Sequence, residues 1–504
     1  MRARRAALNY VTGVLFTAVT MVVGLVALPY LLEWLGEERY GAWRAAADWY
    51  GYLSLLELGI GGALLPLLAR AVGRTDRGAL NTTMGAGIRA YARQSALMVL
   101  GGLMLVVAIR YLVPVSAANR PDLMRAALVA TAALLLTPLL PFRHLAEARQ
   151  EGYRVNLLLL FQSLIITSAA LLLAYSGWGI TGQMLALLLG GAFFFGVLAL
   201  GELRNDAGIA RAAGGSVKQS EAWGELWRLN RPTLIRQLCG RVSVMSDRII
   251  VAALLGPAMV VPLFVTQRLA ELAQGQMQGV GTATWAGLAE LHARGEHDTF
   301  NARLLELTAL VTAWSVALLG PIVAYNHHFV SLWVGGERYA GDLVTIVVGV
   351  NGLLLAVITL WDWAFGGTGQ VARLVPVSVV ATAINLGLSL ALTPRYGVAG
   401  PLLGTMCATL LTAAWYVPVL LHRTFGIALG VLARHVATPL LWGVPYVVVL
   451  WQLAHRRPAI GWATLAIEMA AGALAYLAVW WMLMLTVEQR AVHIARLRSV
   501  LRGR

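Results

Sequence analysis

Ionisable and amide side chains recur at helical spacing inside long apolar blocks of this 504-residue chain. In the block at 43–69, Arg44 and Asp48 stand four residues apart on one helix face. Glu57 follows further along, on a stripe of its own with Trp43, Tyr50 and Ser54. In the block at 232–255, Arg236, Ser243 and Asp247 are spaced i, i+7, i+11, while Arg241 and Arg248 share the adjacent stripe. In the block at 260–289, Gln267, Glu271, Gln274 and Gln278 run at i, i+4, i+7, i+11 with Arg268 alongside. That last pattern is a whole polar helix face within an apolar segment. An ionisable group deep in a membrane span costs about 2.5–3.5 kcal/mol, so it is expected to face a partner or a wet cavity. Such groups suit binding and charge compensation better than covalent chemistry.

Each group also has a purely structural alternative. Arg44 and Asp48 suit an ion pair near the outer interface, and Asp247 with Arg248 suits another. Arg236 is close enough to a span end to snorkel into water. The glutamine face suits a polar seam between packed helices. Asp362, between Trp361 and Trp363, and Glu468 in the last apolar block are isolated acids.

The motifs of enzymes are missing. The chain has no G-x-x-x-x-G-K-[ST] loop for nucleotide phosphates, and HLAE at 144–147 is not H-E-x-x-H. His327 and His328 have no further ligand at metal spacing. Cys239 and Cys407 each sit alone in an apolar block, which supports neither a disulfide framework nor a CxxC site. The one acidic group on an outer segment, Glu33, Glu37 and Glu38, lies on a connection of about ten residues, too short for the loop of a membrane glycosyltransferase. No enzyme activity, cofactor or metal is expected.

The elements that must position these residues follow from composition. Apolar residues make up 59% of the chain and charged residues 12%, with a mean hydropathy of +0.71. A water-soluble protein of this length could not cover its surface with so little charge. Blocks of about 20 apolar residues bounded by charge, Pro or Gly give about fourteen spans. Their limits are 9–32, 43–69, 94–113, 123–142, 155–175, 180–201, 232–255, 260–289, 304–325, 343–365, 374–393, 399–421, 436–454 and 460–486. The first is read as a retained span and not a cleaved signal. No strand-period alternation recurs, so the fold class is an all-α polytopic membrane protein.

A net charge of +15 raises the question of nucleic acid, but the charge is spread over short connections and forms no patch. All but one of the 39 basic residues are arginine, and 26 of the 39 fall on one side if the N-terminus is cytoplasmic, against 8 on the other. That bias predicts both termini in the cytoplasm, with His455-Arg456-Arg457 as a local exception. The remaining five, Arg44, Arg236, Arg241, Arg248 and Arg268, lie within spans.

The stretch 202–230 reads as a cytoplasmic linker leading into an interfacial helix with Trp223 and Trp227. The expected organisation is a six-helix bundle at 1–201, the linker, a second six-helix bundle at 231–421, and two further helices with a basic cytoplasmic tail at 422–504. Sliding the chain by 220 residues pairs Leu35-Gly36 with Leu255-Gly256, Gly59 with Gly279, Gly61 with Gly281, Ala63 with Ala283 and Leu68-Ala69 with Leu288-Ala289. YSGWGITG at 175–182 matches RYGVAG at 395–400 at an offset of 218. Two matches at nearly one offset predict a parallel repeat.

Four segments carry a family resemblance. LPYLLEWLGEERYGAWRAAADWYGYLSLLELGIGGALLPLLAR (28–70) resembles the first two helices of bacterial oligosaccharide (O-antigen-type) flippases. SDRIIVAALLG (246–256) resembles their seventh helix, and SLWVGGERY (331–339) and RYGVAGPLLG (395–404) fit their later loops. Together they point to the superfamily that also holds the lipid II flippases and the multidrug and toxin extrusion exporters.

The resemblance implies two six-helix bundles across a central cavity, alternating access and no covalent chemistry, in the bacterial inner membrane. It implies an undecaprenyl-pyrophosphate-linked oligosaccharide as cargo, moved to the outer leaflet for surface polysaccharide synthesis, with membrane lipids and the polysaccharide polymerase machinery as partners and no nucleic acid. A pyrophosphate calls for fixed positive charge, which arginine supplies with bidentate geometry. Arg44, Arg241, Arg248 and Arg268 are the candidates, Arg268 first. Tyr50 and the amides of Gln267, Gln274 and Gln278, with Glu271, suit sugar. Asp48, Asp247 and Glu271 are the acids placed to couple an ion, each with an arginine neighbour able to neutralise it. A peptidoglycan-precursor flippase, a cation-coupled drug exporter and a membrane glycosyltransferase or ligase are the alternatives. The drug exporter is disfavoured because 9–32 contains no acid.

Overall fold

The structure, a computed structural model, describes residues 2–57, 60–205, 208–209, 221–456, 461–487 and 490. Most of the expected linker, the basic tail beyond 490, the side chains of Glu57, Trp223 and Trp227, and Arg457 lie outside the described residues. Among the described residues the chain is helical with no strand. It divides into two compact units, Met1–Val261 and Pro262–Arg504.

The first unit contains α1 (Arg2–Leu53), α2 (Ile60–Gly73), α3 (Arg77–Leu112), α4 (Arg120–Ala133), α5 (Leu140–Ala148), α6 (Gly152–Tyr175), α7 (Gly179–Asn205) and α8 (Glu221–Leu255). Its core joins Leu64 and Leu68 of α2 with Met84 and Tyr91 of α3, Phe142 and Leu145 of α5, and Phe194 and Leu198 of α7. The reverse face of α3 exposes Leu97, Leu100, Leu103, Met104 and Val107. Only a hydrocarbon solvent makes a helix apolar on both faces favourable.

The second unit begins within α9 (Val260–Ala293) and continues through α10 (His297–Val334), α11 (Asp342–Gly367), α12 (Val375–Tyr396), α13 (Gly400–Leu411), α14 (Ala413–Phe425), α15 (Leu429–Arg456) and α16 (Trp462–Val479). α10 is its centre: 67% of its most apolar window is buried, against 17% for α15 and α16, which pack against it. Its buried hydroxyls are satisfied within the helix, Thr308 donating to the Leu304 carbonyl at 2.8 Å and Thr312 to Thr308 at 2.7 Å. Trp361 Nε1 donates to Thr308 Oγ1 at 3.0 Å, so no polar atom of this group is left to the lipid.

Ten helical segments among the described residues are long and apolar enough to cross a membrane. The expected spans number about fourteen, and the difference has identifiable causes. The first segment, Leu8–Leu53, absorbs the expected outer loop, and Val371–Phe425 takes in two expected spans. α8 and α9 are not among the ten, because the charged and amide residues that mark them lower their hydropathy. The block at 43–69 is interrupted by a 3-10 turn at Ser54–Glu57, and 399–421 breaks at Thr412. Apolar content reports depth in a membrane and is blind to such breaks.

The supposed loop carrying Glu33, Glu37 and Glu38 is helix, interrupted at Gly36 alone. Glu38 accepts from the Asn119 side chain at 2.8 Å, and Arg39 Nε donates to Asn119 Oδ1 at 2.8 Å, tying α1 to the start of α4. The segment expected as an interfacial helix continues without a break into α8. The two compact units meet at 261/262, so α8 falls with the first unit, whereas the linker reading placed it in the second.

The repeat has a backbone counterpart. Gly36 (φ 76°, ψ 164°) and Gly256 (φ 97°, ψ 153°), matched at offset 220, occupy the same region, which is essentially closed to other residues. Gly179 (φ 55°) and Gly397 (φ 58°), matched at offset 218, likewise turn the chain between α6 and α7 and between α12 and α13. Both matched pairs thus place glycines of positive φ at corresponding offsets.

Candidate functional site

In the first unit the charged residues of α1 and α8 meet. Gly51 permits the approach, since a Cβ there would stand 1.9 Å from the Met245 methyl carbon. Tyr52 then donates to the Val242 carbonyl at 3.2 Å. At this contact Arg248 Nε lies 2.8 Å from Asp48 Oδ2, an ion pair between two helices. The sequence suggests Asp247 as the neighbour of Arg248, but adjacent residues on a helix point apart, and it is Asp48 that Arg248 reaches. Asp247 Oδ1 is buried and makes no hydrogen bond.

Arg241, one α8 stripe position below Arg248, is exposed and donates from Nη1 to Ser54 Oγ at 3.0 Å. Arg44 is half-buried, with its guanidinium 5.5 Å from the centre of the Trp43 ring. Arg236 is half-buried, further along α8. The first unit thus brings Asp48, Arg248, Ser54 and Arg241 to one α1–α8 contact. Tyr52 belongs there too: its hydroxyl lies within electrostatic reach of Asp48 and Asp247. It continues the i, i+4, i+8 stripe of Arg44 and Asp48, the signal by which the sequence could have revealed it.

Tyr50 is placed elsewhere. Only 8% exposed, it donates to the Ala127 carbonyl at 2.7 Å and lies 2.9 Å from Thr131 Oγ1. Its hydroxyl therefore fastens α1 to α4 and points away from the arginines.

In the second unit the polar face of α9 stays open. Arg268 and Glu271 form a loose pair at 3.6 Å, with side chains 23% and 39% exposed. The guanidinium also lies 5.8 Å from the centre of the Phe264 ring. Gln267, Gln274 and Gln278 are half-buried, and their amides bond to no described protein group. Three amides with no described partner, beside the Arg268–Glu271 pair, can accept from and donate to a polyhydroxylated or anionic ligand.

The start of this face is held rigidly. Asn326 Nδ2 donates to the Thr266 carbonyl at 2.8 Å and to Thr345 Oγ1 at 3.0 Å, and the Ala340 amide donates to Thr266 Oγ1 at 2.9 Å. Tyr339 bonds Asp342 at 2.7 Å and Thr345 at 2.8 Å, and burial pushes its phenol above the usual range. Thr266, Asn326 and Thr345 are uncharged and widely separated in sequence, so no spacing rule points to them. Among the described residues no three His, Cys, Asp or Glu side chains gather in a way that could hold a metal ion.

No family model matches the sequence, and no curated protein does. Among solved structures, the chain is similar to lipid II flippase MurJ in an inward closed conformation. The TM-score is 0.70 at 12% identity, over 93% of this chain and 99% of that one. The chain shares that fold. It is also similar to a multidrug resistance MATE family transporter of the MOP superfamily. The inward-facing form gives a TM-score of 0.63 at 14% identity, over 87% of this chain and 99% of that one. The outward-facing form gives 0.59 at 13% identity, over 89% and 96%. The all-α polytopic architecture is therefore one found in transporters, as the sequence resemblance implied.

Proposed function

We propose that this chain is a flippase that moves an undecaprenyl-pyrophosphate-linked oligosaccharide from the cytoplasmic to the outer leaflet by alternating access. It does so in a bacterial inner membrane with both termini cytoplasmic. The observation that carries this reading is the open face of α9, where three amides without a protein partner line up beside Arg268. Glutamine amides match sugar hydroxyls, and a guanidinium matches a phosphate. Arg241, exposed on α8, is the second candidate contact; Arg44 and Arg248 stand behind it, the latter engaged by Asp48. Of the acids able to couple an ion, Asp247 is the foremost, because Asp48 is held by Arg248 and Glu271 is paired, loosely, with Arg268.

The test is translocation of a fluorescent lipid-linked oligosaccharide in vesicles carrying the purified protein. Arg268→Ala and Arg241→Ala are expected to slow it at least tenfold, the loss of one charge-assisted contact of about 1.5–3 kcal/mol. Gln274→Leu with Gln278→Leu is expected to weaken substrate binding while leaving unfolding unchanged. Unaltered rates in both arginine variants refute the charge-clamp reading. Lipid II as cargo is the second reading, favoured by a likeness to MurJ that spans 93% of this chain. Competition between the two lipids in the same vesicles separates them.

A further inference from the structure

Within the second unit, α10, α15 and α16 converge on a polar group unrelated to the α9 face. Small residues bring them together. A Cβ at Gly320 would stand 2.6 Å from Tyr446 Cε1, and one at Gly443 would stand 2.7 Å from Val316 Cγ1. The same three helices carry Tyr446 of α15 at this layer, Tyr325 and His328 of α10, and Glu468 of α16.

Tyr325 lies within electrostatic reach of the Glu468 carboxyl, and its ring centre is 6.2 Å from that of His328. His328 in turn lies within electrostatic reach of Glu468, of His327 on its own helix and of His455 at the end of α15. Tyr446 lies within electrostatic reach of Tyr325, and its ring centre is 4.9 Å from that of Tyr476 of α16, the rings tilted by 39°. Three buried atoms of this group make no hydrogen bond: Glu468 Oε2, His328 Nδ1 and Tyr446 Oη.

No lysine or arginine pairs with Glu468 among the described residues. A carboxylate in a membrane span without a counter-ion is strongly disfavoured, as are three polar atoms left without partners in one place. Both conditions are relieved by one species that Glu468 and His328 can share. A sodium ion would ask for five or six oxygen ligands, whereas the group offers one carboxylate, two phenols and an imidazole. A proton asks for only an acid and a base.

We infer that Glu468 and His328, framed by Tyr325 and Tyr446, form a proton-binding site inside the second unit. The acid carries the proton, the imidazole exchanges it, and the phenols supply hydrogen bonds to whichever charge forms. The site is separate from the acids near the arginines and does not depend on what the cargo is.

The test is infrared difference spectroscopy of the full-length protein in lipid nanodiscs, stepped in pH at constant salt. A protonated-carboxyl band that titrates reversibly in the wild type and is missing in Glu468→Gln is the expected result. Tyr325→Phe retains the acid but removes a phenol beside it, so the pH at which the band appears is expected to shift. His328→Asn is expected to change the titration curve from that of two coupled groups to that of one. A spectrum identical in Glu468→Gln and wild type overturns the proposal. So does a carboxyl signal that follows sodium at fixed pH. If Glu468→Gln does not fold, an unaltered titration in both Tyr325→Phe and His328→Asn overturns it equally.

Discussion

Breaking the Asp48–Arg248 pair tests whether the α1–α8 contact is held by charge. The two atoms are 2.8 Å apart and the side chains are 12% and 16% exposed, so water screens the pair little. Removing one partner of such a pair costs about 3–5 kcal/mol, because the other charge is left buried. For Arg248→Ala the lower end, about 3 kcal/mol, is expected, since Arg44 on the same face of α1 keeps a positive charge one turn from Asp48. Asp48→Ala is expected to cost more, because it leaves Arg248 largely buried without its ion-pair partner, with Asp247 the acid still within electrostatic reach of it. Replacing both partners by apolar residues, Asp48→Leu with Arg248→Met, removes the desolvation penalty as well as the attraction. That double variant should lie within about 1 kcal/mol of the wild type. The assay is denaturant unfolding in mixed micelles for wild type, Asp48→Leu, Arg248→Met and the Asp48→Leu/Arg248→Met double variant, read as a cycle. Additivity of the two single losses within about 0.5 kcal/mol means the residues do not interact and sinks the argument.

Two further perturbations probe the scaffold. Tyr50→Phe is expected to cost about 1 kcal/mol, because the Ala127 carbonyl keeps the Thr131 hydroxyl as a second donor at 2.9 Å. Substrate affinity should not change, and a weakened affinity at full stability would place Tyr50 in the binding site after all. Gly36→Ala and Gly256→Ala are each expected to cost about 1–3 kcal/mol from backbone conformation, since an added Cβ meets nothing within 4 Å at either position. Asparagine should not rescue them, as it does at ordinary left-handed positions, and rescue by Asn would show the conformation to be misassigned.

The membrane class and most span positions were legible because lipid imposes a coarse rule: about 20 apolar residues per crossing. Finer breaks were not, because one residue decides them. Gly36 interrupts α1 through its own φ and ψ, and Thr412 divides α13 from α14, while hydropathy passes smoothly over both. The polar stripes were equally legible, being a matter of angular spacing on one helix. Partners on other helices were not. Spacing puts Arg44 beside Asp48 and sequence puts Arg248 beside Asp247, yet Arg248 meets Asp48 because Gly51 lets α8 approach α1 at that level. Tyr50 shares a block with the arginines and still turns to α4, since a two-residue step from Asp48 on a helix faces the other way.

Gly36 and Gly256, matched at an offset of 220, have similar backbone angles, while the helices that follow them differ in chemistry. The two glycines share one region of backbone conformation because any side chain there would be strained, so substitution is penalised at each position. Helix faces carry no such backbone penalty and diverge freely. After Gly36, α1 carries charges that α8 of the same unit neutralises, and the Asp48–Arg248 pair uses them internally. After Gly256, α9 carries amides that nothing in its own unit satisfies. A polar face that packing leaves unsatisfied in a membrane protein is costly to retain unless something else binds there. Of the arginines of α1 and α8, Arg248 is held by its ion pair with Asp48, whereas Arg241 is exposed and donates to the Ser54 hydroxyl.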